Sequence, residues 1–349
     1  MKNNFLNYIH NFRGFAIILI VGVHCRTSID WPKDSIIHDL LFYGLDFATI
    51  LFVFISGFLF QYVHAEKLNY TRYLSKKLQY VVIPYILVSI PAILDKLLIE
   101  TNAHWMTDYY KGLNTFWQII YMLCTGKHSG PFYFIPMICL IFILAPLFYR
   151  IQKWRFFNFL MAGVVLLGMF SYNYGYYATL WESLVYFVPV YIFGIWAGKN
   201  HSWLSELSTN ILLLLVGIYI IIFYLEMINV IDVYRLKSFK EPEYFTPIFN
   251  WGKFKVMLLA IIFLNIFYRL KQYDFSLLTT LGNYSFGVYF IHIYFINAIS
   301  YLLNHFHLSI TQNLLIFVCY LAFVMGASMT CVFVIKKIFP KRSRLLVGS

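Results

Sequence analysis

Ten stretches of this chain are apolar over the length of a membrane-crossing helix. They run approximately over 12–28, 41–63, 79–99, 130–149, 156–173, 181–198, 208–226, 252–268, 284–304 and 311–335. An α-helix rises about 1.5 Å per residue, so about 20 residues cross a hydrocarbon core of about 30 Å. A helix also satisfies its own backbone hydrogen bonds, which lipid cannot do for it. Composition agrees: 61% of the 349 residues are hydrophobic and only 12% are charged, against about half and a quarter in soluble domains. The expected fold is all-α: a polytopic integral membrane protein with about ten transmembrane helices. No internal repeat is evident, and no long polar stretch could form an appended soluble domain. The expected organisation is one membrane-embedded domain over 1–335 and a short basic tail over 336–349.

The net charge of +12 does not point to nucleic acid, because the cations lie in short loops and no soluble basic domain carries them. They set topology instead. Lys67, Arg72, Lys76 and Lys77 fall on the side of the N-terminus, as do Arg150, Lys153 and Arg155, then Lys199, then Arg269 and Lys271. The tail adds Lys336, Lys337, Lys341, Arg342 and Arg344. Cytoplasmic loops are enriched in Lys and Arg, so both termini are expected in the cytoplasm. The first apolar stretch holds Arg13 and His24 and lacks a small-residue exit, so it reads as a retained helix rather than a cleaved signal. The five cysteines form no C-x-x-C pair and read as small apolar fillers. Residues from Trp105 to Cys124 are less apolar and read as an amphipathic surface helix. The long outside loop near 227–255 mixes charges with aromatics. It reads either as a solvated connector or as a wall for an external substrate.

Arg13 and His24 are eleven residues apart in N-F-R-G-F-A-I-I-L-I-V-G-V-H. At about 100° per residue that spacing returns to within about 20° of the same face, with a rise of about 16 Å. A fixed cation thus sits near one surface and a titratable imidazole lies deep in the bilayer. Ionisable groups there are costly and mark pathways or sites. Two readings stand for each residue. His24 is a hydrogen-bonded packing residue or a proton acceptor. Arg13 is a snorkelling anchor or a fork for phosphate or carboxylate.

Four further segments carry candidates. Ser56 and Gly57 interrupt a bulky apolar run in the second stretch; they allow close helix approach or line a channel. Arg72 and Lys76 share a helix face beside Lys77, either as topology charge or as a site for a phosphate-rich ligand. Gly130 to Pro136 opens the fourth stretch and includes Tyr133. Leu281 to His292 enters the ninth and includes Ser285 and Tyr289. His292 lies seven residues beyond Ser285, about two turns deeper on one face.

The ordered set resembles the membrane-bound acyltransferase-3 family: R-x10-H, then S-G-F at Ser56, then a basic stretch ending in Pro84-Tyr85, then P-x-Y-F at Pro131, then S-F-G-x-Y-x-x-H at Ser285. The resemblance spans nearly the whole chain and implies the stand-alone branch, without an appended esterase-like domain. It implies O-acyl transfer, commonly of acetyl, from cytosolic acyl-CoA to a hydroxyl of a bacterial surface polysaccharide or its lipid-linked precursor. Acetyl-CoA would be the acyl donor, with no metal. The partners would be acyl-CoA, the glycan or lipid-linked acceptor and membrane lipid, in the bacterial cytoplasmic (inner) membrane. Arg13 and His24 map onto the family's essential pair. Arg13, Arg72, Lys76 and Lys77 would hold the donor's phosphates, and Ser56, Gly57, Tyr133, Ser285, Tyr289 and His292 would line the substrate channel. Three positions depart from the family pattern: Tyr80 where a second arginine is often found, Lys77 where arginine is usual, and Tyr133 where tryptophan is usual. A glycan or glycolipid transporter, and an assembly subunit of a glycan-synthesis complex, are the other classes that a many-helix chain with buried ions fits.

Overall fold

A computed structural model describes residues 2–29, 31–32, 35–64, 66–173, 175–231, 247–273, 275–308 and 313–349, with the side chains of 2–6 and 176 excepted. Most of the long charged and aromatic loop, 232–246, lies outside the described residues. Among those described, the regular elements are helices. They are α1 (Lys2–Thr27), α2 (Ile36–Leu45), α3 (Thr49–His64), α4 (Tyr70–Lys77), α5 (Ile83–Leu98), α6 (Asp108–Lys111), α7 (Thr115–Thr125), α8 (Phe134–Ile143) and α9 (Ala145–Ile151). The second half contains α10 (Phe157–Gly168), α11 (Leu180–Lys199), α12 (His201–Ser205), α13 (Thr209–Met227), α14 (Trp251–Arg269), α15 (Ser276–His305), α16 (Leu314–Ile338) and α17 (Ser343–Val347).

All ten apolar stretches are helical. Eight are long and apolar enough to cross a membrane, and a ninth is the pair leading through α8 into α9, bent by 54°. The stretch expected over 156–173 is α10, whose 12 residues rise only about 18 Å and do not cross a bilayer core alone. Polar caps start many of the helices. Ser35 accepts the His38 N–H at 3.2 Å, Asn69 accepts the Arg72 N–H at 3.0 Å, and Thr179 and Glu182 form a reciprocal capping box.

Two breaks shape the site. Between α4 and α5 a π-helical turn covers Leu78–Val82. Pro84 has no N–H to offer the Tyr80 carbonyl, and the Ile83 N–H reaches back to Leu78 instead. Between α2 and α3 the chain turns at Phe47, with φ of 66°. There Arg26, at the far end of α1, pairs with Asp46 at 3.0 Å and stacks on Phe42 at 4.4 Å.

Two parallel helix pairs form the centre, and glycine sets both. A Cβ on Gly14 of α1 would stand 2.1 Å from the Leu278 carbonyl oxygen of α15, and one on Gly282 would stand 2.1 Å from that of His10. A Cβ on Gly57 of α3 would stand 2.1 Å from the Tyr191 oxygen of α11, and one on Gly194 would stand 2.2 Å from that of Phe54. Lipid tails are as apolar as the helices, so close backbone approach and dispersion drive this pairing. A smaller core of Ile93, Trp105, Met106, Tyr110 and Met122 joins α5 to α7. The single helix expected from Trp105 to Cys124 is instead a turn, the short α6 and then α7, whose Phe116 and Trp117 are exposed. The 336–349 segment carries α17, which packs on α5 and the π turn and buries Val347.

His128 fastens the turn before α8. Its Nδ1 lies 3.0 Å from the Met122 carbonyl and its Nε2 lies 2.8 Å from Ser89 Oγ. A carbonyl only accepts, so Nδ1 carries the proton and Nε2 accepts from Ser89. Burial pushes the imidazole down to about 4, below the unfolded value of about 6.5. The unfolded chain therefore binds more protons between those limits, and stability rises with pH across them.

Two outcomes are expected. Acidification from about pH 6.5 to about 4 should cost roughly 3 kcal/mol through His128, and His128→Gln should flatten that dependence in thermal melts of detergent-solubilised protein. Gly57→Ala should cost roughly 1–3 kcal/mol by overpacking against backbone, whereas Gly217→Ala, where a Cβ meets nothing within 4 Å, should leave the melting temperature unchanged or raise it.

Candidate active site

The α1–α15 crossing assembles the polar residues that the sequence marks. Ser285, Tyr289 and His292 recur at helical spacing along α15 and are all buried. Arg13 Nη2 donates to Ser285 Oγ at 2.7 Å, while that hydroxyl donates to the Gly282 carbonyl at 2.9 Å. Ser285 thus presents a lone pair to the guanidinium and fixes its direction. Deeper along the same pair of helices, the His24 and His292 rings lie 5.2 Å apart between centroids, tilted by 41°.

The two imidazoles differ in their surroundings. His292 is fully buried, and its Nδ1 lies 3.1 Å from the Val288 carbonyl. Nδ1 is therefore the protonated nitrogen, and Nε2 carries the lone pair. That Nε2 is buried without a hydrogen-bond partner among the described residues. His24 is partly accessible. The pair sets two imidazoles side by side between α1 and α15.

A cavity of about 1150 Å³ opens at the Arg13 end of the bundle. Arg13, Lys67, Arg72, Lys76 and Lys77 line it from the first helices, and Lys336 and Arg344 line it from the C-terminal segment. All four residues expected to hold phosphate face this one space. Residues of α1 and of the C-terminal segment thus share this space. Among the described residues the lining contains no Asp or Glu. A cleft of one sign focuses its field and concentrates counter-ions.

A narrower space of about 200 Å³ continues from it. Arg13, His64 and Lys77 line both. Beyond them the walls are apolar, with Phe52, Leu59, Phe134 and Phe286, and Ser56 faces the lumen. Ring contacts link this annex to the histidines: Phe134 to Tyr289 at 5.8 Å, Tyr289 to His292 at 6.0 Å, and His292 to His24.

Of the expected channel residues only Ser56 lines either of these two spaces; Ser285, Tyr289 and His292, like His24, lie in the helix packing outside both. Gly57 does not line either space; it is the contact point of α3 with α11, where no side chain fits. Its N–H lies within the helix ladder and is not free to donate. Tyr133 also lies outside both cavities, with its ring against Gly175. Tyr289 donates its hydroxyl to the Pro131 carbonyl, so it braces the turn that carries Tyr133. Sequence reasoning missed the cavity roles of His64, Lys67, Lys336 and Arg344. The basic C-terminal run was the available signal, but topology alone accounted for it.

The family comparison decides the class of chemistry. The acyltransferase-3 family model, described as an acyltransferase domain, matches residues 6–333. This chain belongs to the acyltransferase-3 family. It is a multi-pass membrane acyltransferase, and the match covers the helices described above except the first residues of α1, the last residues of α16 and all of α17. No curated protein and no solved structure gives a significant match.

Within this acyltransferase, Ser285→Ala should free the Arg13 side chain. A lost hydrogen bond to a charged group corresponds to a roughly tenfold fall in acyl-transfer efficiency, at unchanged melting temperature. Ser285→Thr keeps the hydroxyl and should restore most of the activity in the same transfer assay.

Proposed function

We propose that this acyltransferase moves an acyl group, acetyl in the simplest case, from cytosolic acyl-CoA to a hydroxyl of a bacterial surface polysaccharide or its lipid-linked precursor. The observation that carries the reading is the basic cavity, lined by no Asp or Glu among the described residues, narrowing into a mostly apolar annex. Acyl-CoA has the matching form: a phosphate-rich nucleotide, a slender arm and an uncharged thioester. Arg13, Arg72, Lys76 and Lys77 would hold the phosphates, because guanidinium and ammonium groups make charge-assisted bonds to them. The arm would enter past Arg13 and Lys77 into the annex. The enrichment of Lys and Arg at this end supports a cytoplasmic mouth, with the protein in the bacterial inner membrane.

In the proposed reaction the His24 imidazole accepts the proton of the acceptor hydroxyl as its oxygen bonds to the thioester carbonyl carbon. The carbonyl oxygen gains charge, and the Ser56 hydroxyl on the annex wall would donate to it. Collapse of the tetrahedral species breaks the carbon–sulfur bond. The proton on His24 then passes to the departing sulfur, giving CoA thiol and the O-acylated sugar. The His292 Nε2 lone pair beside His24 supports a neutral, proton-accepting environment. Gly57 has no part in this scheme.

His24→Ala should lower transfer from labelled acetyl-CoA to glycan at least a hundredfold, the scale of general-base catalysis, at normal protein level. Undiminished transfer would remove the base assignment. Arg13→Ala should chiefly weaken acyl-CoA affinity, read as a raised KM with a smaller change in kcat. Absence of any acyl-CoA turnover by purified protein, together with export of unmodified glycolipid, would instead support the transporter class.

A further inference from the structure

The basic cavity is completed by residues that the family match does not reach. The match ends at residue 333, yet Lys336 and Arg344 line the same space as Arg13 and Arg72. Arg344 is held there by stacking. Its guanidinium lies 4.5 Å from the centroid of the Tyr80 ring, on the π turn beside the basic helix α4. Lys336 sits 4.8 Å over the Tyr284 ring. Stacking on an aromatic face orients a cation without neutralising it.

The anchoring of α17 is also specific. Val347 is buried, Leu346 packs against the main core, and Ser349 Oγ accepts the Gly287 N–H at 2.9 Å. Gly348 ends the helix at φ of 75°, and a Cβ there would press on the Tyr80 carbonyl and Phe286 at 3.3 Å. A loosely attached tail would not have this interface. Arg344 itself remains exposed to the cavity, close enough to Arg13 for the two charges to repel. Among the described residues neither Arg344 nor Lys336 forms an ion pair with a carboxylate. A cluster of like charges lining one cavity repels itself and favours the entry of a polyanion.

We propose that Arg344, assisted by Lys336, is a phosphate-binding residue of the donor site, supplied by the C-terminal helix. The inference rests on acyl-CoA being the occupant of this cavity. The segment supplies a second arginine at Tyr80, the position where the basic motif of this chain lacks one. Arg344 is thus a binding residue delivered in space by α17 rather than in sequence by α4.

The test compares donors with and without phosphate in the full-length purified protein. CoA and the phosphate-free S-acetylpantetheine are titrated against wild type, Arg344→Ala, Arg344→Lys and Lys336→Ala. Arg344→Ala should weaken CoA binding about tenfold and leave S-acetylpantetheine binding unchanged. Lys336→Ala should act in the same direction but less, and Arg344→Lys should recover part of the loss, since it keeps the charge without the fork. Equal weakening for both donors would show that α17 only supports the fold and would overturn the proposal. Wild-type CoA binding with Arg344→Ala indistinguishable from it would overturn the C-terminal assignment alone. Failure of wild type to bind CoA would overturn the donor reading together with this one.

Discussion

The close parallel crossing of α1 and α15 is the contact on which the site depends. Gly14 and Gly282 let the two backbones meet where any Cβ would strike a carbonyl oxygen. In a membrane such packing replaces the hydrophobic drive that would pair helices in water. Once the crossing is set, helical periodicity does the rest. Ser285 comes level with Arg13, and two turns deeper His292 comes level with His24. A guanidinium and an imidazole are thereby held at different depths on one rigid element, a placement that a loop would not hold as well.

Buried charge elsewhere in the bundle is partnered locally, by carboxylates or by neutral acceptors. Lys253 donates to the Gly168 carbonyl at 2.7 Å, to Ser171 Oγ at 3.2 Å and to the Tyr186 carbonyl at 2.8 Å. Lys255 pairs with Glu226, and Arg26 pairs with Asp46. These groups tie α10, α11, α13 and α2 to α14 and α1, and burial is tolerable because each has partners. At the opposite end, among the described residues, the cavity around Arg13 is lined by no Asp or Glu. The same residue types therefore sit in two settings, packed among fixed partners in the bundle or lining an open cavity.

Breaks in the helices matter as much as the helices. Pro84 opens the π turn, and the turn brings Tyr80 to the C-terminal helix. The Gly130–Tyr133 turn, braced by His128 and Tyr289, starts α8 so that Phe134 forms the end wall of the annex. In both places an aromatic residue that breaks the family's usual pattern has a structural role: Tyr80 stacks Arg344, and Tyr133 packs on Gly175.

Much of this protein is legible along the chain. The ten apolar stretches, the shared face of Arg13 and His24, and the ordered motifs are local properties, because helix length and the 3.6-residue period are properties of neighbours in sequence. The four cations expected to bind phosphate are legible for the same reason, lying within one short basic stretch and the first helix. What the chain does not encode locally is partnership. Arg13 and Ser285 are 272 positions apart, so no periodicity announces their bond. Gly57 reads equally as a channel or a packing residue until α11 is laid against it. Lys336 and Arg344 read as topology charge until α17 folds back beside the π turn. Tertiary structure alone decided these, because each is a contact between elements whose separate sequences are compatible with many neighbours.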